Sequence, residues 1–248
     1  METLFGFLIA LVIGMTGAGG GTLAVPILVM VYGVAPAEAV GVAMIFATVV
    51  KLLFALVYIF RRQFHTATLL RLLAGGLPGV AAGAFLLSGL HARRLENTVL
   101  AIVGATIAVM AIANLVRMRT GRDSAPKPDR SRWLSWVALP IGIEVGFSSA
   151  GGGALGGIAL LSLTPLAPAV VVGTDLLFGL GLSALGGGLH LAMGNVNMLL
   201  AGRLLAGGVA GALAGPWLAA RAPVRPMRAA LSLVLSVLGA ELFWRGVG

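Results

Sequence analysis

The chain has 248 residues, 59% of them hydrophobic and only 10% charged, with a mean hydropathy of +1.04; a soluble globular domain carries roughly 25% charged residues, so a water-soluble fold is excluded. At ~20 apolar residues per crossing, this length holds about six to eight membrane helices and no sizeable soluble domain. The net charge is +9, with three His and no Cys, which removes disulfide, thiolate and cysteine-metal chemistry; none of the His has an i,i+4 partner, so no metal site is expected.

Eight apolar segments follow one another along the chain, at about 4–32, 37–60, 68–90, 95–116, 133–163, 168–192, 198–220 and 228–247. The first has no basic stretch before it and no small-residue cleavage site after it, so it reads as a membrane segment rather than a leader. Positive charge collects in the short connections, at Arg61, Arg62, Arg93, Arg94 and a cluster from Arg117 to Arg132. This is the pattern that orients membrane helices with basic loops in the cytoplasm, not a nucleic-acid surface. Residues 117–132 form a charged, proline-containing cytoplasmic linker between a first repeat, 1–116, and a second, 133–248.

The two quartets align without a gap at an offset of 132, as Gly146 minus Gly14. Gly14-Met-Thr-Gly-Ala-Gly-Gly-Gly21 falls on Gly146-Phe-Ser-Ser-Ala-Gly-Gly-Gly153, Val40-Gly41 on Val172-Gly173, and Arg71-Leu-Leu-Ala-Gly-Gly76 on Arg203-Leu-Leu-Ala-Gly-Gly208. Many secondary transporters are built from such repeats, with the substrate held near the midplane where interrupted helices meet. The fold expected is therefore an all-α polytopic membrane protein of two four-segment repeats, each with a glycine-broken first segment. If that segment is a re-entrant hairpin, the basic loops share one side apart from Arg93, Arg94 and Arg245, and the repeats are inverted.

The glycine runs match the dinucleotide fingerprint G-x-G-x-x-G/A at Gly19, Gly21, Ala24 and at Gly151, Gly153, Gly156. Their apolar flanks offer neither a βαβ unit nor an acidic ribose partner, so nucleotide binding is rejected. Gly75, Gly79 and Gly83, with Gly207, Gly211 and Gly215, read as packing seams. The runs at 17–21 and 150–153 differ, because each glycine costs a helix ~1 kcal/mol relative to Ala and consecutive ones unwind it. Unwound backbone at membrane depth must line a cavity or be covered by protein, and its N–H groups suit an anion, as do the starts of the half-helices that follow. The substrate-binding residues expected are Thr16, Gly17, Ala18, Gly19, Gly20, Gly21, Ser148, Ser149, Ala150, Gly151, Gly152, Gly153 and Thr174, with Lys51 as a fixed positive charge.

Lys51, Glu144 and Asp175 are the ionisable groups well inside apolar runs, where each is costly enough to imply a role. Lys51 either faces the substrate or neutralises one of the carboxylates; Glu144 and Asp175 either carry protons during transport or pair with Lys51. His190, near a segment end, reads as interfacial. Arg71 and Arg203 read as snorkelling side chains. No nucleophile and base stand together, so an enzyme is not expected.

These residues resemble the TauE/SafE sulfite exporter family of membrane transporters. The likeness rests on G-x-x-G-A-G-G-G followed by Pro26, on Val40-Gly41, and on G-F-S-S-A-G-G-G with Val172-Gly173-Thr174-Asp175. The resemblance implies a multi-pass protein of the bacterial inner membrane that moves a small sulfur-containing anion such as sulfite, sulfoacetate or another organosulfonate, without a cofactor. Its partners would be that anion and the lipid bilayer, with a homo-oligomer allowed and no nucleic acid. A passive anion channel is the alternative.

Overall fold

The computed structural model describes residues 1–16, 21–92, 97–98, 101–105, 107–109, 112, 116, 129–150, 155–219 and 224–247. Among them there are helices and no strand: α1 (Glu2–Thr16), α2 (Gly21–Tyr32), α3 (Pro36–Phe60), α4 (Thr66–Ala92), a 3-10 turn (Ser131–Trp133), α5 (Leu134–Ser148), α6 (Leu155–Leu163), α7 (Pro168–Ala192), α8 (Met198–Ala219) and α9 (Val224–Val247). Four of the described helices contain stretches long and apolar enough to cross a membrane: Pro36–Phe60, Thr66–Leu90, Pro168–Ala192 and Met198–Gly215. Proline at the first position starts α3 and α7, where its missing N–H has no helical partner to lose. By contrast α1 and α5, with 15 residues each, reach about 22 Å at 1.5 Å per residue, short of a ~30 Å hydrocarbon core.

The helix limits recur at one offset: Leu134 minus Glu2, Ser148 minus Thr16, Pro168 minus Pro36, Ala192 minus Phe60 and Met198 minus Thr66 are each 132. Packing recurs at that offset too. A side chain at Gly75, Gly79 or Gly83 of α4 would overlap the backbone of Ser135, Leu139 or Ile143 of α5, and one at Gly207 or Gly211 of α8 would overlap that of Thr3 or Phe7 of α1. The seams expected at these five glycines are thus main chain on main chain, the closest approach two helices can make. Contact partners rise in number together, so α4 runs parallel to α5, and α8 to α1.

The opposite sense holds between α3 and α7. Gly41 meets His190 and Asn195, Met44 meets Gly186, and Tyr58 meets Gly173, so these two helices are antiparallel. The order reverses in the same way where Gly104 meets Phe243 and Ala108 meets Gly239; the described part of segment four therefore runs antiparallel to α9. Phe46 and Phe178, both fully buried, anchor the centre, one ring filling the space over Gly208 and the other the space over Gly76. Large apolar side chains such as Leu52, Phe60, Phe85, Leu199 and Leu213 face outward, which suits a lipid surround.

Candidate functional site

The break that follows α5 is the better described of the two. Ser149 caps the helix in the left-handed region at φ 58°, a conformation costing a non-glycine residue roughly 1–2 kcal/mol, while its N–H still reaches the Val145 carbonyl at 2.8 Å. Ser148 is fully buried; its hydroxyl donates to Glu144 Oε1 at 2.5 Å and accepts from the Ala150 N–H at 3.1 Å. Glu144 Oε2 is enclosed without a partner. Ser149 and Ala150 are buried beside it.

Stopping α5 at Ser148 leaves carbonyls without the next turn's donors. The Gly146 carbonyl is met instead by His190 Nε2 at 3.1 Å. A carbonyl only accepts, so Nε2 carries the proton there, and His190 Nδ1 is left enclosed without a partner. His190 is fully buried, so the interfacial expectation fails: it sits in the last turn of α7 but turns inward onto the broken helix. Sequence reasoning missed this because the partner is a carbonyl 44 residues away that only the interruption exposes; the signal available was a polar residue in the otherwise apolar stretch 184–192.

Asp175, on α7, is buried with Oδ1 unpartnered. Its carboxylate occupies the space that a side chain on Gly156 would take, and Gly157 offers its backbone N–H to it. The start of α6, expected to face a solute anion, therefore faces a carboxyl group of the chain itself. A carboxylate at a helix N-terminus is favourable, since it meets unpaired donors and the positive end of the helix dipole.

Lys51 is buried on α3, and its Nζ donates to the Gly179 carbonyl at 3.1 Å. Ser183, which occupies the position of Lys51 in the second half, donates to the same carbonyl at 2.8 Å. Both lie where α3 and α7 cross. No carboxylate comes within 4.0 Å of Lys51 among the described residues; Asp175 is one helical turn from Gly179 and acts on the ammonium as a nearby opposite charge rather than as a contact partner.

Of the remaining expected residues, Thr174 is fully buried, but its hydroxyl is committed: it donates to the Val170 carbonyl at 2.7 Å and accepts from the His65 N–H at 3.0 Å. Gly21 opens α2, and Thr16 closes α1. Gly17, Ala18, Gly19, Gly20, Gly151, Gly152 and Gly153 lie outside the described residues. No cluster of three or more His, Cys, Asp or Glu that could hold a metal occurs among the described residues.

Comparison with known proteins is consistent along nearly the whole chain. The family model for the sulfite exporter TauE/SafE matches residues 3–242. Among similar proteins, "Probable membrane transporter protein YjnA" of Bacillus subtilis (strain 168) is 29% identical over 96% of this chain and 97% of its own length. "Probable membrane transporter protein YunE" of the same organism is 24% identical over 98% and 97% respectively.

Proposed function

From the premise that the chain belongs to the sulfite exporter TauE/SafE family, we propose that it is a secondary transporter moving a small sulfur-containing anion across the bacterial inner membrane with proton coupling. Sulfite, sulfoacetate and other organosulfonates are the substrate class. The observation that carries this reading is Lys51: a buried cation with no carboxylate in contact among the described residues, at the crossing of the two antiparallel repeat-mates α3 and α7. A buried charge is expensive unless compensated, and an anionic solute supplies what the direct contacts do not.

The directions of the helices support inverted repeats with re-entrant first segments. Because α8 is joined to α7 by the five residues 193–197, the two long helices run opposite ways; α3 opposes α7 and α1 follows α8, so α1 and α3 share a direction. The chain then comes back through α2 before α3 begins, and the same holds for α5, α6 and α7. On this reading α1 with α2, and α5 with α6, are the two hairpins, and they enter from opposite sides. The repeats are residues 1–116 and 133–248, and backbone amides within Gly17 to Gly21 and Gly151 to Gly153, with the Thr16 hydroxyl, coordinate the anion; the Ser149 and Ala150 amides and the Ser148 hydroxyl are already committed beside Glu144.

Glu144 and Asp175 carry the coupling. Neither has a cationic contact partner among the described residues, and each keeps one enclosed oxygen without a partner there, so each can bind a proton without breaking an ion pair among them. Reconstitution in proteoliposomes tests the whole reading, with sulfite, sulfate, thiosulfate, sulfoacetate and acetate offered with and without a pH gradient. Saturable flux of a sulfur anion, raised by the gradient and no longer responsive to it in Glu144→Gln or Asp175→Asn, is the expected result. Flux indifferent to both carboxylates indicates a channel, and no flux of any sulfur anion removes the substrate class.

A further inference from the structure

The end of the linker is folded on itself by one contact and fastened to the membrane part by two. Ser131 N–H donates to Asp129 Oδ1 at 2.9 Å, the Arg71 guanidinium donates to the Ser131 hydroxyl, and the Arg130 N–H donates to the Leu163 carbonyl at the end of α6 at 2.8 Å. Ser135, at the start of α5, adds a hydroxyl bond to the Arg71 carbonyl at 2.8 Å. Fixing the main chain from 129 to 133 in this way leaves the side chains of Arg130 and Arg132 exposed, and neither guanidinium has a hydrogen bond or ion pair among the described residues.

These two arginines line a shallow, open cleft of about 490 Å³ with Trp133, Val137 and Leu163. The cleft thus joins two cationic side chains to three apolar ones. Trp133 is 51% exposed, and the neighbouring Trp136 is 72% exposed; tryptophans concentrate at the level of lipid headgroups. The cleft belongs to the end of the molecule that also carries Arg61 and Arg62 after α3 and Arg71 on α4, the basic end, which faces the leaflet richer in anionic lipid.

We propose that this cleft binds the headgroup of an anionic phospholipid, with Arg130 and Arg132 on the phosphate and an acyl chain along Val137 and Leu163. Both parts of that ligand are needed to explain the cleft: a free phosphate leaves the apolar wall unused, and a zwitterionic lipid cancels the charge the arginines meet. Guanidinium forks bind phosphate in two-point fashion, and the fastened backbone removes the cost of ordering the strap on binding.

Native mass spectrometry of the full chain, with dioleoyl phosphatidylglycerol, dioleoyl phosphatidylcholine and inorganic phosphate as separate probes, tests this. One phosphatidylglycerol is expected to be retained in preference to phosphatidylcholine, with inorganic phosphate failing to compete. The double variant Arg130→Gln/Arg132→Gln should bind it roughly thirty-fold more weakly, the effect of removing two surface cations, while Arg245→Gln, at a residue already paired with Glu241, leaves binding unchanged. Equal retention of both lipids, full retention by a folded double variant, or displacement by phosphate alone would overturn the assignment. If the double variant does not fold, bromine-tailed phosphatidylglycerol still decides the question in the wild-type chain, by whether it quenches fluorescence that disappears in Trp133→Phe.

Discussion

Phe46 lies against Gly208 and Phe178 against Gly76; Gly41 rests on the Asn195 carbonyl and Gly173 on the Gln63 carbonyl. Each contact becomes the other when 132 is added to one number and subtracted from the other, which is the reciprocity of a two-fold interface. The ionisable groups break that rule. Opposite Lys51 in the first half stands Ser183 in the second; opposite Glu144, Asp175 and His190 in the second stand Val12, Ala43 and Tyr58 in the first. Close packing needs the same shape from both halves, whereas recognising an anion and moving a proton need opposite charges from different places. The start of α6 already has Asp175 in front of it, while Ala43 puts no carboxylate at the corresponding place before α2. The two halves thus differ in charge where they agree in shape.

The shared part should break equally on either side. Gly79→Leu and its mate Gly211→Leu would each drive a side chain into backbone, that of Leu139 or that of Phe7. Overpacking of a site without flexible neighbours costs about 3 kcal/mol or more, so both variants should fail to yield folded protein or melt far below the wild type in detergent. A severe effect at one glycine with none at the other would show that the two interfaces are not equivalent.

The unshared part should respond on one side only. Lys51→Ala removes a charge-assisted contact worth roughly 1.5–3 kcal/mol, so initial uptake in proteoliposomes should fall by about ten- to a hundredfold. Ser183→Ala, which removes a neutral hydrogen bond of about 1 kcal/mol to the same carbonyl, should cost less than about tenfold. Similar losses at both positions would mean that Lys51 acts through packing and not through its charge. A smaller contrast separates His190 from Tyr58. His190→Phe leaves the Gly146 carbonyl buried without a donor, a loss of about 1–3 kcal/mol in unfolding free energy, whereas Tyr58→Phe, at a half-buried side chain, should stay within about 0.5 kcal/mol.

Which of these features could be read before the fold was known follows from the range over which each one acts. The helix limits at Pro36 and Pro168 are local, set by a proline that fixes the first turn, and the offset of 132 carries one half's limits onto the other. The i,i+4 glycines at 75, 79 and 83 announce a close-packed face. They do not say that the face receives α5 rather than a helix of the same repeat. Lys51, Glu144 and Asp175 stand out because charge is rare in apolar runs. The placing of Asp175 before α6 depends on how segment six lies against the hairpin, and that of His190 on where α5 stops; neither is written in local spacing. The pair between Arg203 and Glu2, at 3.3 Å, is similarly invisible, since the residues are 201 positions apart.

That pair gives the finest test of the comparison, because Arg203 is the mate of Arg71. Arg203 meets Glu2 at an exposed surface, whereas Arg71 meets Ser131 in residues 129–133, the strap that precedes α5. The strap depends on Asp129, whose carboxyl is held below the usual aspartate range first by the Ser131 N–H and then by the Ser131 hydroxyl, with Arg71 and His65 adding positive charge nearby. A carboxyl whose folded value is depressed stabilises the fold above its unfolded value, ~3.9, and loses that contribution as pH falls through the lower folded value. Hydrogen exchange over residues 129–133 should therefore stay slow from neutral pH down to about 4 and quicken only below it, whereas Asp129→Asn should exchange faster even at neutral pH. Glu2→Gln should leave the strap untouched and alter stability by no more than about 1 kcal/mol, the range of an exposed ion pair. If exchange in the strap quickens already near pH 6, a group other than Asp129 controls it, and Asp129 is not what fastens the linker.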